Sequence, residues 1–374
     1  MLIERKKHLR EKAILVGLEW GRPTSGRRWD LDESLSELES LTKTAGAEVA
    51  EHFSVFRKAP NPATFIGKGK VEELKILLDS HKANLVIFDD ELTPAQYRNL
   101  TENLGVRVVD RSQLILDIFA SRSRTKESKL EIELVQLQYL LPRLTGLWQH
   151  LSRQEGGVGT RGPGEKQLEV DRRRVRDRIS RLKKALKGIS SYRKVQRQKR
   201  LRRAVPLVSL IGYTNAGKTS LFNSLTESRN KIENKLFATL DPTIRKWKFA
   251  GDVPLLIADT VGFIRKLPHH LVESFKGTLE EASWSDLIIN VVDLSDPMMD
   301  EKNEIVYQVL DELGALHKPI IMVLNKIDLV PNYKELINRF SKYNYPVVPV
   351  SSKTFEGLNG LLETIKHVLS KQKE

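Results

Sequence analysis

The stretch VPLVSLIGYTNAGKTSLFNSL, from Val205 to Leu225, constrains this chain more than any other. A run of Val, Leu and Ile stops at Gly212, Gly217-Lys218-Thr219 comes five residues later, and an amphipathic pattern opens directly behind them. The spacing matches G-x-x-x-x-G-K-[ST] in the strand-to-helix context that a phosphate loop requires. A buried strand feeding a helix in this way commits the region to a parallel sheet flanked by helices. The amides of Gly212, Tyr213, Thr214, Asn215, Ala216 and Gly217 can wrap phosphate oxygens at the helix N-terminus, with Ser220 directly behind. Lys218 can neutralise β- and γ-phosphate oxygens, and the Thr219 hydroxyl can reach Mg2+.

Further elements follow in a telling order. PLLIADTVGF ends an apolar strand on Asp259, where a carboxylate can hold Mg2+ through a water. It runs on through Thr260 and Val261 to Gly262, whose N–H can sense a γ-phosphate. Between this segment and the loop lies KLFATLDPTIRKW, a candidate switch covering Phe237, Ala238, Thr239, Leu240 and Asp241. Thr239 or Thr243 could close on the metal. Thr239 is favoured, which leaves Thr243 an ordinary loop hydroxyl. IIMVLNKIDLV then places Asn325, Lys326, Ile327 and Asp328 after another apolar strand. As a buried carboxylate, Asp328 can accept hydrogen bonds from guanine N1–H and the exocyclic amine, which adenine cannot supply. In VVPVSSK, the backbone N–H groups of Ser351, Ser352 and Lys353 are suited to guanine O6. N-K-x-D alone is a weak signal, but in this order the set specifies a GTPase that converts GTP to GDP and phosphate.

One position departs from that pattern. Many GTPases follow the D-x-x-G glycine with a glutamine that orients the attacking water. Here the residue is Phe263, which can orient nothing. Of the candidate catalytic set Lys218, Thr239, Gly262 and Phe263, the last therefore takes no chemical part. Slow intrinsic hydrolysis is expected, with help from a partner, a cation or another loop. Asn215 has two readings, as a ligand for K+ beside the β/γ phosphates or as a side chain capping the loop. His269 and His270 read as solvated loop residues.

Upstream, short β-type runs alternate with helical stretches: AILVGLE, LDESLSELESLTKTAG, EVAEHFSVF, GKVEELKILLDSH, NLVIFDD, TPAQYRNLTENLG and VRVVD. Thr93 reads as an N-cap with Pro94 at the first helical position. The alternation predicts a second parallel α/β domain. Its GKGK, Gly67 to Lys70, could hold a phosphate at a helix N-terminus but lacks phosphate-loop spacing. From about Arg124 an apolar helical period runs through Leu130, Leu134, Leu137, Leu141, Leu144 and Trp148, with a kink expected at Pro142. A second helical stripe, Leu168, Val175, Ile179, Leu182 and Leu186, follows GGVGTRGPGEKQ. That stretch contains a literal G-x-G-x-x-G (Gly157, Gly159, Gly162), but the polar helix end HLSRQE precedes it where a dinucleotide fold needs a strand. The expectation is two antiparallel helices joined at a glycine-rich tip spanning 156–164. Three parts result: an α/β domain over 1–120, a coiled-coil-like helical hairpin over 121–204, and a phosphate-loop GTPase domain over 205–374.

Charge supplies the partner. The chain carries 62 Lys+Arg against 48 Asp+Glu, a formal +14. Between Arg172 and Arg203 sixteen basic residues stand against one acid, Asp177. Such a block suits a polyanion, most simply nucleic acid, because neutralising phosphates releases counterions. Arg153, Arg161 and Lys166 around the tip, and Arg172, Arg173, Arg174 and Arg176 behind it, are the candidate RNA contacts. The absence of cysteine excludes disulfides and thiolate chemistry. With no signal-peptide or transmembrane run, a cytoplasmic protein without a membrane anchor is expected, and a monomer.

GYTNAGKT, FATLD, DTVGF and NKID resemble the Obg–HflX group of GTPases. GGVGTRGPGEKQLEVDRRR, FIGKGKVEEL and VVDRSQLILDIFASRSRTKESKLEIELVQLQYLLPRL are similar specifically to HflX, and the resemblance covers nearly the whole chain. Lys166 departs from the family's usual threonine. The resemblance implies a GTPase that binds the large (50S) ribosomal subunit and its rRNA and separates stalled or idle ribosomes under stress. It implies that Thr219 and Thr239 bind Mg2+ and that Asn325 and Asp328 select guanine. The alternative is a GTP-gated RNA-binding chaperone of large-subunit assembly, with turnover incidental.

Overall fold

The computed structural model describes residues 11–21, 31–144, 163–202, 205–226, 236–237, 239–247, 254–266, 282–340 and 344–371, without the side chains of 163–168, 190, 192–202 and 338. Most of the glycine-rich tip, with Arg153 and Arg161, lies outside the described residues, as do Ala238, His269, His270 and the Lys166 side chain. Packing divides the chain into two units, Met1–Ser121 with Lys129–Leu186, and Arg122–Ser128 with Lys187–Glu374.

In the first unit the strands β1 (Lys12–Trp20), β2 (Glu48–Arg57), β3 (Leu85–Phe88) and β4 (Arg107–Asp110) form one sheet in the order β2-β1-β3-β4. Every pairing is parallel. The helices α1 (Leu31–Ala45), α2 (Lys68–His81) and α3 (Pro94–Leu104) supply the crossovers. The inner strands read as apolar runs because helices cover them, and β3 is buried throughout. On the edge strand β2 only Phe53 and Val55 are buried. Thr93 caps α3 as expected: its hydroxyl accepts from Gln96 N while the Gln96 side chain accepts from Thr93 N, with Pro94 at the first turn. The GKGK turn opens α2 with no side-chain cap, and Lys70 pairs with Glu73 at 2.5 Å.

The carboxyl end of this sheet is filled by the protein's own charges. Asp89, directly after β3, accepts from Arg111 Nη1 at 2.6 Å and from Ser34 Oγ at 2.7 Å, and Arg111 also pairs with Glu37. Asp110, at the end of β4, accepts from Tyr139 Oη at 2.6 Å, Gln113 N at 2.9 Å and Leu92 N at 3.0 Å. Burial, then the neighbouring Asp110 carboxylate, pushes the Tyr139 hydroxyl far up, so it remains a donor.

After β4 the chain enters α4 (Arg111–Arg122), then α5 (Lys126–Leu140). The kink expected at Pro142 falls in a turn that ends α5 at Leu140, closed by Arg143 N donating to Leu140 O; Leu144 is helical again, and the stretch after it lies outside the described residues. Proline has no N–H to continue the ladder, and its ring excludes the preceding turn. The Arg143 guanidinium lies over the Tyr139 ring, 3.5 Å from its centroid. The long helix α6 (Pro163–Arg202) then follows. Leu182 is buried and Val175, Ile179 and Leu186 half-buried, which bears out the apolar stripe. A two-pronged ion pair ties α6 to α5, Arg178 Nε and Nη2 donating to Glu133 at 2.7 and 2.8 Å.

The second unit is a six-stranded sheet in the order β10-β9-β8-β5-β7-β6. Its strands are β5 (Leu207–Ile211), β6 (Thr243–Trp247), β7 (Leu255–Asp259), β8 (Leu287–Asp293), β9 (Ile320–Asn325) and β10 (Val347–Pro349). Among the described strands only the edge strand β6 runs antiparallel to its neighbour. Among the described residues its helices are α7 (Lys218–Thr226), α8 (Met299–Glu312), the short α9 (Tyr333–Ile337) and α10 (Leu358–Lys371). Leu221 and Phe222 of α7 and Leu361 and Ile365 of α10 pack into a core with Val208, Ile257, Ile289 and Val323. Each fully buried side chain of this size contributes about 1.5–3 kcal/mol. The strand order reverses about β5, with β7 on one side and β8 on the other. In open α/β sheets the crevice beyond such a reversal is where ligands bind. The loop after β5 opens there.

Candidate nucleotide-binding site

β5 is buried along its whole length and ends against Gly212, which has φ +144. A Cβ at this residue would stand 2.2 Å from the Val291 carbonyl of β8, so only glycine fits. The loop turns through Asn215, itself left-handed at φ 63 and exposed, to Gly217 at φ +92. A Cβ on Gly217 would meet Asn325 Nδ2 at 2.2 Å. The two motif glycines are thus dictated by separate neighbours, the β8 backbone and the side chain at the end of β9.

Lys218 opens α7 and is 6% exposed. Its Nζ donates to the carbonyls of Gly212 at 3.1 Å and Tyr213 at 2.7 Å, which curls the loop around the ammonium. Burial brings this group down to about 8, against an upward pull from Asp259. Asp259 ends β7 and is fully buried. Its Oδ2 accepts from Thr219 Oγ1 at 2.8 Å and from Thr239 Oγ1 at 3.0 Å, and the two hydroxyls lie 2.8 Å apart. The structure thus brings Thr239 to Thr219 and Asp259. Thr243 starts β6, in register with the Asp259 backbone. Burial pushes the Asp259 carboxyl up, opposed first by the Thr219 hydroxyl and then by Lys218.

Among the described residues, the buried Asp259 Oδ1 and Thr214 Oγ1 meet no hydrogen-bond partner. An orphaned carboxylate oxygen beside two hydroxyls is a donor set for a hard cation. Among the described residues no group of three His, Cys, Asp or Glu side chains could hold a metal alone. One carboxylate with two hydroxyls suits Mg2+, which takes its remaining ligands from phosphate and water.

Phe263 is 2% exposed, its ring in the core. Its backbone is stitched to the phosphate loop: Phe263 N donates to Gly212 O at 3.1 Å and Thr214 N donates to Phe263 O at 2.7 Å. Arg265 N donates to Tyr213 Oη at 2.8 Å, and Thr260 Oγ1 to Leu210 O at 2.6 Å. Asp259 to Arg265 thereby lies against the loop while presenting no side chain that could orient a water from position 263.

At the other end, Asn325 Nδ2 donates to Ala216 O at 2.9 Å and its Oδ1 accepts from Ser352 N at 3.1 Å. Lys326, at φ 65, pairs with Asp293 at 2.6 Å. Ser351 Oγ donates to Asp328 Oδ1 at 2.6 Å and itself accepts from the amides of Lys353 and Thr354. Asp328 was expected to be buried. It is exposed instead: the side chain in the 3-10 turn after β9 points away from the core that covers Ile327, with one carboxylate oxygen held by Ser351 Oγ. Ile327, Val261 and Leu240 are buried wall residues, and Ser220 starts the second half-turn of α7.

The Asp241 carboxylate is engaged away from Asp259, by residues 124–128. Burial acts to raise it, but hydrogen bonds from Ser128, Thr125 and the Arg124 and Thr125 amides hold it below the usual carboxylate range. Sequence reasoning assigned residues 122–128 no part in this neighbourhood. On α6, Arg173, Arg174 and Arg176 are exposed and Arg172 is half-buried. Arg174 makes a 3.4 Å contact with Asp171.

Family comparison agrees with this geometry. Residues 32–120 match the model described as GTP-binding GTPase N-terminal, 122–200 the GTP-binding GTPase middle region, and 207–326 the 50S ribosome-binding GTPase. A GTPase HflX of Caldanaerobacter subterraneus subsp. tengcongensis is 50% identical over 365 residues, 98% of this chain and 82% of the relative. The GTPase HflX of Escherichia coli is 45% identical over 361 residues, covering 96% and 83%. Among solved structures, the SsGBP–GDP complex aligns over 97% of this chain and 100% of its own, with TM-score 0.55 and 27% identity. Among the described residues no helix is long and apolar enough to cross a membrane.

Proposed function

This chain belongs to the HflX family of GTPases, and from that premise we propose that it couples GTP hydrolysis to binding of the large ribosomal subunit and to the splitting of stalled or idle ribosomes under stress. Hydrolysis of GTP to GDP and phosphate is its activity. The observation that carries the rest is Phe263: a buried ring stands where a water-orienting side chain is needed, so fast hydrolysis needs another group, from a partner, a cation or another loop, and the large subunit is the partner we infer.

The arrangement of the loop, the switch threonine and the N-K-x-D corner supports the following division of labour. Loop amides from Gly212 to Gly217 and the Lys218 ammonium bind and orient the phosphates, and the Gly262 N–H faces the terminal one. Thr219, Thr239 and Asp259 would hold Mg2+, which would offset phosphate charge. Asp328 reads the guanine edge, with Asn325 locking that corner to the loop, whereas the amides of Ser351, Ser352 and Lys353, expected to meet guanine O6, already donate to Glu356 O, Asn325 Oδ1 and Ser351 Oγ. Asn215 projects from the loop into solvent, where it can serve as a K+ ligand beside the phosphates. The exposed arginines of α6 supply an electrostatic footing for rRNA.

The test is GTP turnover by the purified protein, alone and with large subunits, in potassium and in sodium buffer, alongside light scattering of 70S particles. Strong stimulation with loss of 70S scattering is expected. Dependence on potassium would assign Asn215 to the cation. No stimulation in either buffer, with tight RNA binding retained, would favour the GTP-gated RNA chaperone.

A further inference from the structure

Two residues of the switch segment face opposite ways. Thr239 turns inward to Thr219 and Asp259, while Asp241 turns onto the first turn of α5. Asp241 Oδ2 accepts from the amides of Arg124 at 2.8 Å and Thr125 at 3.1 Å. Its Oδ1 accepts from Thr125 Oγ1 at 2.7 Å and from Ser128 Oγ. Upstream of Thr239, the Phe237 carbonyl accepts from Arg122 Nη1 at 2.9 Å, at a residue with φ 56 and only 3% exposed. The segment is therefore fixed on both sides of the threonine. Thr125 also caps α5, accepting from Ser128 N at 3.2 Å, so the negative charge of Asp241 sits at a helix N-terminus, where it is favoured.

We propose that Arg122–Ser128 is a positioning element for GTP hydrolysis: by gripping Asp241 and Phe237 it holds Thr239 at the metal-binding hydroxyl of Thr219. Among the described residues the stretch around Thr239 forms no strand, since β6 begins at Thr243. A metal-binding hydroxyl must nevertheless be held within about 0.5 Å of its working position. The grip on its flanks provides that rigidity. Linkage makes the arrangement reciprocal: whatever fixes Thr239 from the nucleotide side strengthens the bonds to Arg124, Thr125 and Ser128 by the same amount. The inference rests on Thr239 acting in the nucleotide site and is independent of any ribosomal role.

Hydrogen exchange of the full-length protein in Mg2+, with GDP or with a non-hydrolysable GTP analogue, reads the contact directly. The Arg124 and Thr125 amides donate to Asp241, so peptides spanning 122–128 should exchange about tenfold more slowly with the analogue, as loss of a charge-assisted hydrogen bond implies. Asp241→Asn should abolish that difference. It should weaken the analogue about tenfold while leaving GDP affinity within about twofold, since GDP lacks the phosphate that recruits Thr239. Ser128→Ala should act the same way, more weakly, and serves if Asp241→Asn fails to fold. Equal exchange in both nucleotides would overturn the proposal, as would equal weakening of GDP and analogue, which marks a merely structural contact. Thr239→Ala separates the two readings. Unchanged analogue affinity in that variant refutes the role of Thr239, whereas weakened affinity with unaltered protection of 122–128 refutes the coupling.

Discussion

Asn325 at the end of β9 donates to the carbonyl of Ala216 across 2.9 Å, joining the N-K-x-D corner to the phosphate loop. Its other side-chain atom receives Ser352 N, so one buried amide holds two loops. Asn325→Ala would leave the Ala216 carbonyl and the Ser352 amide without this partner, at about 1–3 kcal/mol for each group left unsatisfied. Nucleotide affinity and thermal midpoint should fall together. Calorimetry and a melting curve on one preparation check this, and lost affinity with an unchanged melt would contradict it.

Asp328 should behave differently, because it is exposed and held only through Ser351 among the bonds described. Asp328→Asn should leave the melt nearly unchanged and move preference from guanosine toward xanthosine nucleotides, whose base presents the complementary pattern. Competition binding with GTP and XTP decides the matter. Unaltered guanine selectivity would remove Asp328 from that role.

Phe263→Gln should not create a fast enzyme. The ring is buried and the backbone on either side is bonded to Gly212 and Thr214, so the new amide points into the core. The substitution should cost roughly 3 kcal/mol through lost packing and a poorly paired polar group. Single-turnover hydrolysis and denaturant unfolding measure the two effects. A large gain in intrinsic rate would show that the side chain alone was missing.

In the N-terminal unit, Tyr139→Phe deletes a 2.6 Å donor to the buried Asp110 carboxylate, where Arg143 at 3.5 Å remains. A loss of about 1–3 kcal/mol is expected. Urea unfolding of the full chain should show an earlier transition, with GTP turnover by the folded protein unchanged. An unaltered transition would mean that Asp110 is satisfied by Leu92, Gln113 and Arg143 without the phenol.

What was legible in the sequence was local. Gly212, Gly217 and Lys218 announce themselves because a phosphate loop tolerates few substitutes at those backbone angles, and Thr93-Pro94 announces α3 through its cap. The helix α4 went unread because Leu114, Ile115, Leu116, Ile118 and Phe119 are all buried, so its apolar residues form a cluster where a one-sided stripe was sought. The exposure of Asp328 depends on what lies beside it in space. The grip of Asp241 on Thr125 spans more than a hundred residues and rests on ordinary polar side chains, which carry no periodicity and no motif.

The placement of Arg122–Ser128 has a practical consequence for anyone dividing this protein into parts. By packing, those residues belong with Lys187–Glu374, while the chain on either side of them belongs to the other unit. A fragment beginning at Val205 lacks Arg122–Ser128, and with them the hydrogen bonds that Phe237 and Asp241 accept. If those bonds position Thr239 as proposed, turnover by such a fragment should fall below that of the full chain, and a graft that brings residues 122–128 back should raise it where moving the cut site does not.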